Sequence, residues 1–194
     1  MRTERRLNRL VQVLRHRQPD MTIVMENIHD PHNVSAVMRS CDAAGVMEVQ
    51  LIYTDKDFPY IGKKSSASAK KWVELRQFKN VKDCYKKLHE EGFMIFATRL
   101  EEKAKSLYEI DMTKKIAIVV GNEHKGVSSE AARLADGILQ IPMFGMIQSL
   151  NVSVATAVIL FEAVRQRIES KQYDESKYSN TELAKLLRVW AMKQ

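Results

Sequence analysis

The chain has 194 residues, is 45% hydrophobic and carries a formal net charge of +7, which suits one globular domain with small terminal additions and favours polyanionic partners, nucleic acid first. Nothing approaches the roughly 18 consecutive apolar residues of a membrane helix, and the opening MRTERRLNRL has charge without the apolar core of a secretory signal, so the expectation is a cytoplasmic protein with no membrane contact. Cys41 and Cys84 stand alone, and His16, His29, His32, His89 and His124 form no zinc spacing, so neither a disulfide framework nor a metal is expected.

Leu7, Leu10, Val11 and Leu14 recur at helical spacing, and the opposite face of that helix is arginine. Pro19 follows, and Thr22–Glu26 reads as a buried strand. Asn33 to Ala44 reads as a helix with Val34, Val37, Met38 and Cys41 on one side, ended by Gly45. Val49–Tyr53 is a strand, and Asp55–Ala69 a long loop of the length that often carries function. Trp72–Phe78 reads as a strand, Val81–Glu91 as a helix and Phe93–Thr98 as a strand. Ile116–Val120 has the unbroken apolar character of a central parallel strand. A short helix at Ser128–Ala135, a strand at Ile138–Ile141 and the longest helix, Ser149–Ser170, complete the domain. Leu183, Leu186, Leu187 and Trp190 mark a terminal amphipathic helix. The alternation implies an α/β domain, a mainly parallel sheet with helices on both faces. Residues 1–18 form a basic N-terminal helix, 19–172 the domain and 173–194 a C-terminal helical extension.

Sites in such sheets form beyond the carboxyl ends of strands, and three segments there are distinctive. In DPHNVSAVMRS, Pro31 turns the chain, Asn33 is placed to cap the helix, and Arg39 lies off the apolar stripe. In GNEHKGVSSE, Gly121 and Gly126 bound a loop into which Glu123 projects. The Lys-Ser/Thr of a P-loop and the G-x-G-x-x-G dinucleotide fingerprint are both missing. In IPMFGMIQSLNVSVA, Pro142 and Gly145 force an irregular path, and Ser149 and Asn151 stand at a helix entrance, where backbone amides are unpaired and the dipole is positive. Two lysine pairs, Lys63–Lys64 and Lys70–Lys71, bracket a serine-rich loop.

The order Asn33-x5-Arg39, Gly121-x-Glu123-x-x-Gly126, then Ile141-Pro142-Met143 with Ser149-Leu150-Asn151-Val152-Ser153 resembles the three motifs of the SpoU-type (SPOUT) RNA 2'-O-ribose methyltransferases, from Pro19 to about Tyr173. The resemblance implies a deep trefoil knot at the C-terminal side. It implies S-adenosylmethionine bound there, with Thr98, Gly121, Ile141 and Leu150 lining the pocket, and a homodimer joined through the long Ser149–Ser170 helix. It implies methyl transfer to the ribose 2'-oxygen of a guanosine in the tRNA D-loop (position 18), with Arg39, Asn33, Glu123, Ser149 and Asn151 as the catalytic set. Arg5, Arg6, Arg9, Lys63 and Lys64 are the RNA-binding candidates.

The family assigns activation of the hydroxyl to Arg39. A guanidinium rarely loses its proton, so its role is to lower the hydroxyl's pKa and stabilise the alkoxide, held by Asn33 and Glu123, with Ser149 and Asn151 organising it; His32 is the alternative base. Ribosomal RNA is the alternative substrate. Members acting on it carry a separate N-terminal RNA-binding domain, whereas about twenty residues precede the fold in this sequence. A non-catalytic RNA-binding protein of the same fold is the third reading, opposed by the intact motif residues.

Overall fold

The computed structural model describes residues 4–54, 58–59 and 69–193. In chain order the elements are α1 (Glu4–Arg15), β1 (Met21–Glu26), α2 (Pro31–Ala43), β2 (Glu48–Ile52), β3 (Glu74–Phe78), α3 (Val81–Glu90), β4 (Met94–Thr98), β5 (Lys105–Ser106), β6 (Ile116–Val120), α4 (Ser129–Leu134), β7 (Gly137–Gln140), α5 (Val152–Glu169) and α6 (Asn180–Met192). Among the described residues the strands form one sheet in the order β3-β2-β1-β6-β4-β7-β5, and every pairing is parallel.

The central strands β1 and β6 are buried at every position. Helices cover both faces, which is why β6 reads as an unbroken apolar run and β1 is interrupted only by Thr22 and Glu26. Alternate residues serve different cores. Met21, Ile23, Met25, Ile116, Ile118 and Val120 pack with α2 and α5 on one face. Val24, Ala117 and Val119 pack with α3 and α4 on the other. The two cysteines sit in α2 and α3 as buried free thiols, and burial pushes both thiols up, Cys84 to about 12.

The terminal helices form one unit. Leu10 and Leu14 of α1 share a cluster with Trp190 and Ala191 of α6. Arg17, fully buried, fastens that cluster to the sheet. It pairs with the Asp42 carboxylate, donates to Val46 O at 2.9 Å, and lies 5.0 Å from the centre of the Trp190 ring, a cation–π contact. A second fully buried arginine, Arg167 of α5, donates to Asp20 at 2.6 Å, to Met112 O at 3.0 Å and to Gln18 at 2.9 Å. Charges are kept inside a protein only when paired and hydrogen-bonded in this way.

The connection from β4 to β6 takes an enclosing route. Arg99 N donates to Leu139 O, and β5 pairs along the outer edge of β7. The chain then passes beneath α5, where Gln166 and Arg167 hold the backbone of Ile110 and Met112. In the sheet β7 therefore lies between β4 and β5, two strands that precede it in the chain.

Three element starts differ from the sequence reading by two residues or more, and one strand was not read. The helix read from Asn33 starts at Pro31, with Asp30 as its N-cap. Pro31 has no N–H and a φ preset for the first helical position, which moves the start upstream. The helix read from Ser149 starts at Val152, because the Asn151 side chain accepts from Ser153 N and stops the helix there. Ala69–Lys71 forms a 3-10 turn, so the strand read from Trp72 begins at Glu74. The two-residue β5 carries no periodicity to read.

Candidate active site

The carboxyl ends of β1 and β6 lie side by side, since Met25 pairs with Val120. The loops that follow them are knitted together. Asn27 takes the left-handed conformation, φ 51°, one that asparagine tolerates better than most residues. Its side chain exchanges two hydrogen bonds with Thr54 beyond β2, at 3.0 and 2.9 Å. Its carbonyl accepts from the Asn122 amide at 2.9 Å. Asn122 in turn accepts from the amides of His124 and Lys125. At the loop's end Glu26, 3% exposed, accepts from Ser128 N at 2.8 Å, and the Ser128 side chain caps α4. Gly121 allows the loop to fold back on itself: a Cβ there would stand 2.2 Å from the Gly126 carbonyl carbon and the Val127 nitrogen.

This framework presents Glu123. Its carboxylate accepts from the Asn33 amide at 3.0 Å and from Asp30 N at 3.3 Å, and the His29 backbone also hydrogen-bonds it. Partial burial raises the Glu123 pKa, but the bonds from Asn33 and the backbone outweigh it and leave the group below its ordinary 4.5. The Asn33 oxygen accepts from the Asn151 amide at 3.0 Å. Asn33 is thus a buried link inside α2 between the second and third segments; it is not the helix cap.

Beside this chain lies a cavity of about 580 Å³, within the range of roughly 300–1,000 Å³ usual for ligand pockets. Thr98, Gly121, Ile141 and Leu150 all line it, as do Glu123, Ser149 and Asn151. Leu139, Val152 and Ile159 add apolar wall, and the Thr98 hydroxyl is tied to Val119 O at 2.9 Å. Main chain that approaches closely and an apolar wall with a few polar groups fit an adenosyl ligand.

Arg39 lies further along α2 and is exposed. Among the described residues its guanidinium has no hydrogen-bond or ion-pair partner, so the expectation that Asn33 and Glu123 hold it is not met. Both are committed to each other, and Asn151 to Asn33 and Ser153. Ser149 is exposed at the cavity rim. Arg5, Arg6 and Arg9 are exposed on α1, and Arg6 also donates to Lys193 O at 2.5 Å, past the end of α6. Lys63 and Lys64 fall outside the described residues. Among those residues no group of three or more His, Cys, Asp or Glu side chains could hold a metal ion, and no helix is long and apolar enough to cross a membrane. The sequence reading missed Glu26, Asn27 and Asn122; its available signal was a polar residue directly after each buried strand.

Residues 20–161 match the SpoU rRNA Methylase family. The chain belongs to that family. It is 47% identical to a tRNA (guanosine(18)-2'-O)-methyltransferase of Thermus thermophilus over 99% of this chain and 98% of the relative. The crystal structure of the Aquifex aeolicus TrmH/SpoU tRNA modifying enzyme superposes with a TM-score of 0.91 at 40% identity, over 97% of this chain and 95% of that one. The SpoU methyltransferase AviRb from Streptomyces viridochromogenes, solved in complex with the cofactor AdoMet, gives a TM-score of 0.69 at 26% identity, over 78% and 62%.

Proposed function

We propose that the chain transfers a methyl group from S-adenosylmethionine to the ribose 2'-oxygen of guanosine 18 in the tRNA D-loop. One observation carries the reading: the Glu123–Asn33–Asn151 chain of hydrogen bonds stands at the rim of a ligand-sized cavity. It does so in a protein similar along nearly its whole length to tRNA (guanosine(18)-2'-O)-methyltransferase. The enclosing path of the β4–β6 connection supports the trefoil knot, an exception to ordinary chain threading.

Thr98, Gly121, Ile141 and Leu150 would hold the cofactor, which supplies an electrophilic methyl on its sulfonium. Glu123, Asn33 and Asn151 fix the rim so that the two reactants meet in line. With no partner among the described residues, Arg39 is available to the RNA. Its fixed charge and forked donors suit a phosphate and the oxygen that becomes negative as its proton leaves. Residues 19–172 then form the methyl-transferring domain. The 1–18 and 173–194 extensions pack on each other and offer Arg5 and Arg9 to the phosphate backbone, an affinity that weakens with salt. A tRNA substrate is in keeping with a cytoplasmic location.

A homodimer belongs to the same reading. Along α5, Val154, Phe161 and Ile168 are 49%, 52% and 60% exposed. In the preceding loop Phe144, Met146 and Ile147 are 98%, 100% and 64% exposed. Apolar side chains gathered in this way mark a contact surface, and a second copy satisfies it by a two-fold axis.

The test is methylation of a tRNA transcript in the presence of a chelator, followed by mapping of the product. One methyl on guanosine 18, and none when that ribose is 2'-deoxy, is the expected result. Methylation only at another nucleotide, or cofactor binding to the free protein only after a divalent metal is added, overturns the assignment.

A further inference from the structure

The cavity occupies the β6–β4–β7 part of the sheet's carboxyl edge. On the other side of Glu123, past the ends of β1 and β2, three rings stand in a row. His29 and Tyr53 have centroids 6.0 Å apart at an interplanar angle of 64°. Tyr53 and Phe58 are 5.3 Å apart at 87°. The row is firmly seated: the Tyr53 hydroxyl donates to Ile28 O at 2.6 Å, and Tyr53 and Phe58 pack against the main core. It also adjoins the site. The His29 backbone hydrogen-bonds the Glu123 carboxylate, and the charge of Glu123, after burial, helps push the Tyr53 phenol up. The remaining aromatic pair among the described residues, Trp72 with Trp190, lies at the junction of the terminal helices.

A ribose that meets a methyl group over the cavity carries its base on the side away from the cofactor; all three rings there are half-buried, but Tyr53 and Phe58 pack against the core, whereas His29 is the one whose backbone hydrogen-bonds Glu123. We propose that His29 is the stacking platform for the base of the reacting nucleotide, with Tyr53 and Phe58 as its rigid backing. The proposal rests on the methyl-transfer reading above. It adds a base subsite to a reaction whose bonds are made at the ribose. An unstacked nucleotide needs a replacement for its lost neighbours, and proteins that bind splayed-out bases supply aromatic faces.

The experiment is a cycle of two substrates and three proteins. The substrates are tRNA with guanosine at the reacting position and the same tRNA with an abasic ribose there, its 2'-hydroxyl intact. The proteins are the unaltered chain, His29→Ala and His29→Phe. Single-turnover transfer is measured at subsaturating RNA, and cofactor affinity by calorimetry. Stacking on one aromatic side chain typically changes affinity by about tenfold or more. The unaltered chain should therefore prefer guanosine over the abasic ribose by about that factor. His29→Ala should erase the preference at unchanged cofactor affinity, and His29→Phe should restore it, because a phenyl ring has a stacking face without the imidazole's nitrogens. If His29→Ala slows both substrates equally and keeps the preference, His29 only supports the loop and the proposal fails. Should His29→Ala not fold, His29→Gln against His29→Phe makes the same comparison. No transfer by the unaltered chain to intact tRNA would instead overturn the methyl-transfer reading itself.

Discussion

Across the cavity two loops are held in opposite ways. In the 121–128 loop, Asn122 bonds two amides of its own turn and the carbonyl of Asn27, Glu123 accepts from α2, and Ser128 N is taken by buried Glu26. In the 141–151 loop the tie is at the end, where Asn151 reaches Asn33; Phe144 and Met146 point fully outward. The first loop is finished by its own chain, as preorganised sites require. The second leaves its apolar side chains exposed, and the proposed dimer would complete it.

The largest effect expected lies in neither loop. Arg39 belongs to α2, is exposed, and opens no cavity when shortened. Arg39→Ala should lower single-turnover methylation by about 1,000-fold, the scale of losing one transition-state donor, while cofactor affinity stays within about twofold. Arg39→Lys should be nearly as poor, having lost the fork. A near-normal rate in Arg39→Ala would transfer the role to His32.

Two glycines test the loops against each other. Gly121→Ala forces a Cβ onto backbone atoms at 2.2 Å, whereas Gly145→Ala meets nothing within 4 Å. Calorimetry should show cofactor affinity falling by about 100-fold for the first, since overpacked backbone must shift, and hardly changing for the second. Equal losses would erase the contrast between a knitted loop and an open one.

The open surface is tested on α5. Phe161→Glu should raise the dimer dissociation constant by about tenfold or more, because it places a charge in an apolar contact, as read by sedimentation equilibrium. The melting of the separated protomer should change little, since the side chain is 52% exposed. Unchanged association would move the interface elsewhere.

The smallest effect is on pH. Glu123 is held below its ordinary 4.5. Its carboxylate therefore contributes its full stabilisation of the loop above pH 4.5, and that contribution fades as pH falls through the lowered value. The protection of amides in residues 121–128, measured against the intrinsic exchange rate at each pH, should be constant down to pH 5 and fall below 4.5, and Glu123→Gln should lack this step.

The central strand Ile116–Val120 was legible because burial on both faces leaves it no polar residue. Glu123 and Asn151 were legible as polar residues in strand-to-helix connections, and Arg39 as an arginine off the apolar stripe of its helix. What joins them was not. Asn33 and Asn151 are 118 positions apart, and Asn27 and Asn122 are 95 apart. Hydrogen bonds over such separations depend on the order of strands in the sheet, which no local pattern records. The same limit explains Asn33. A capping asparagine and a bridging one look identical in sequence, and the choice fell to Pro31 and to the arrival of Glu123 from a distant loop.

The junction of the terminal helices has a practical consequence. The chain has two tryptophans, and their rings lie 5.1 Å apart at 47°, where α6 meets the 3-10 turn before β3. Intrinsic fluorescence and near-ultraviolet exciton dichroism therefore report on this one seam and are nearly blind to the methyl-transfer site. Followed during denaturation, the indole signal measures the release of α6, while far-ultraviolet ellipticity measures the whole fold. If the seam opens as a separate cooperative unit, the two curves part, with the emission change coming first.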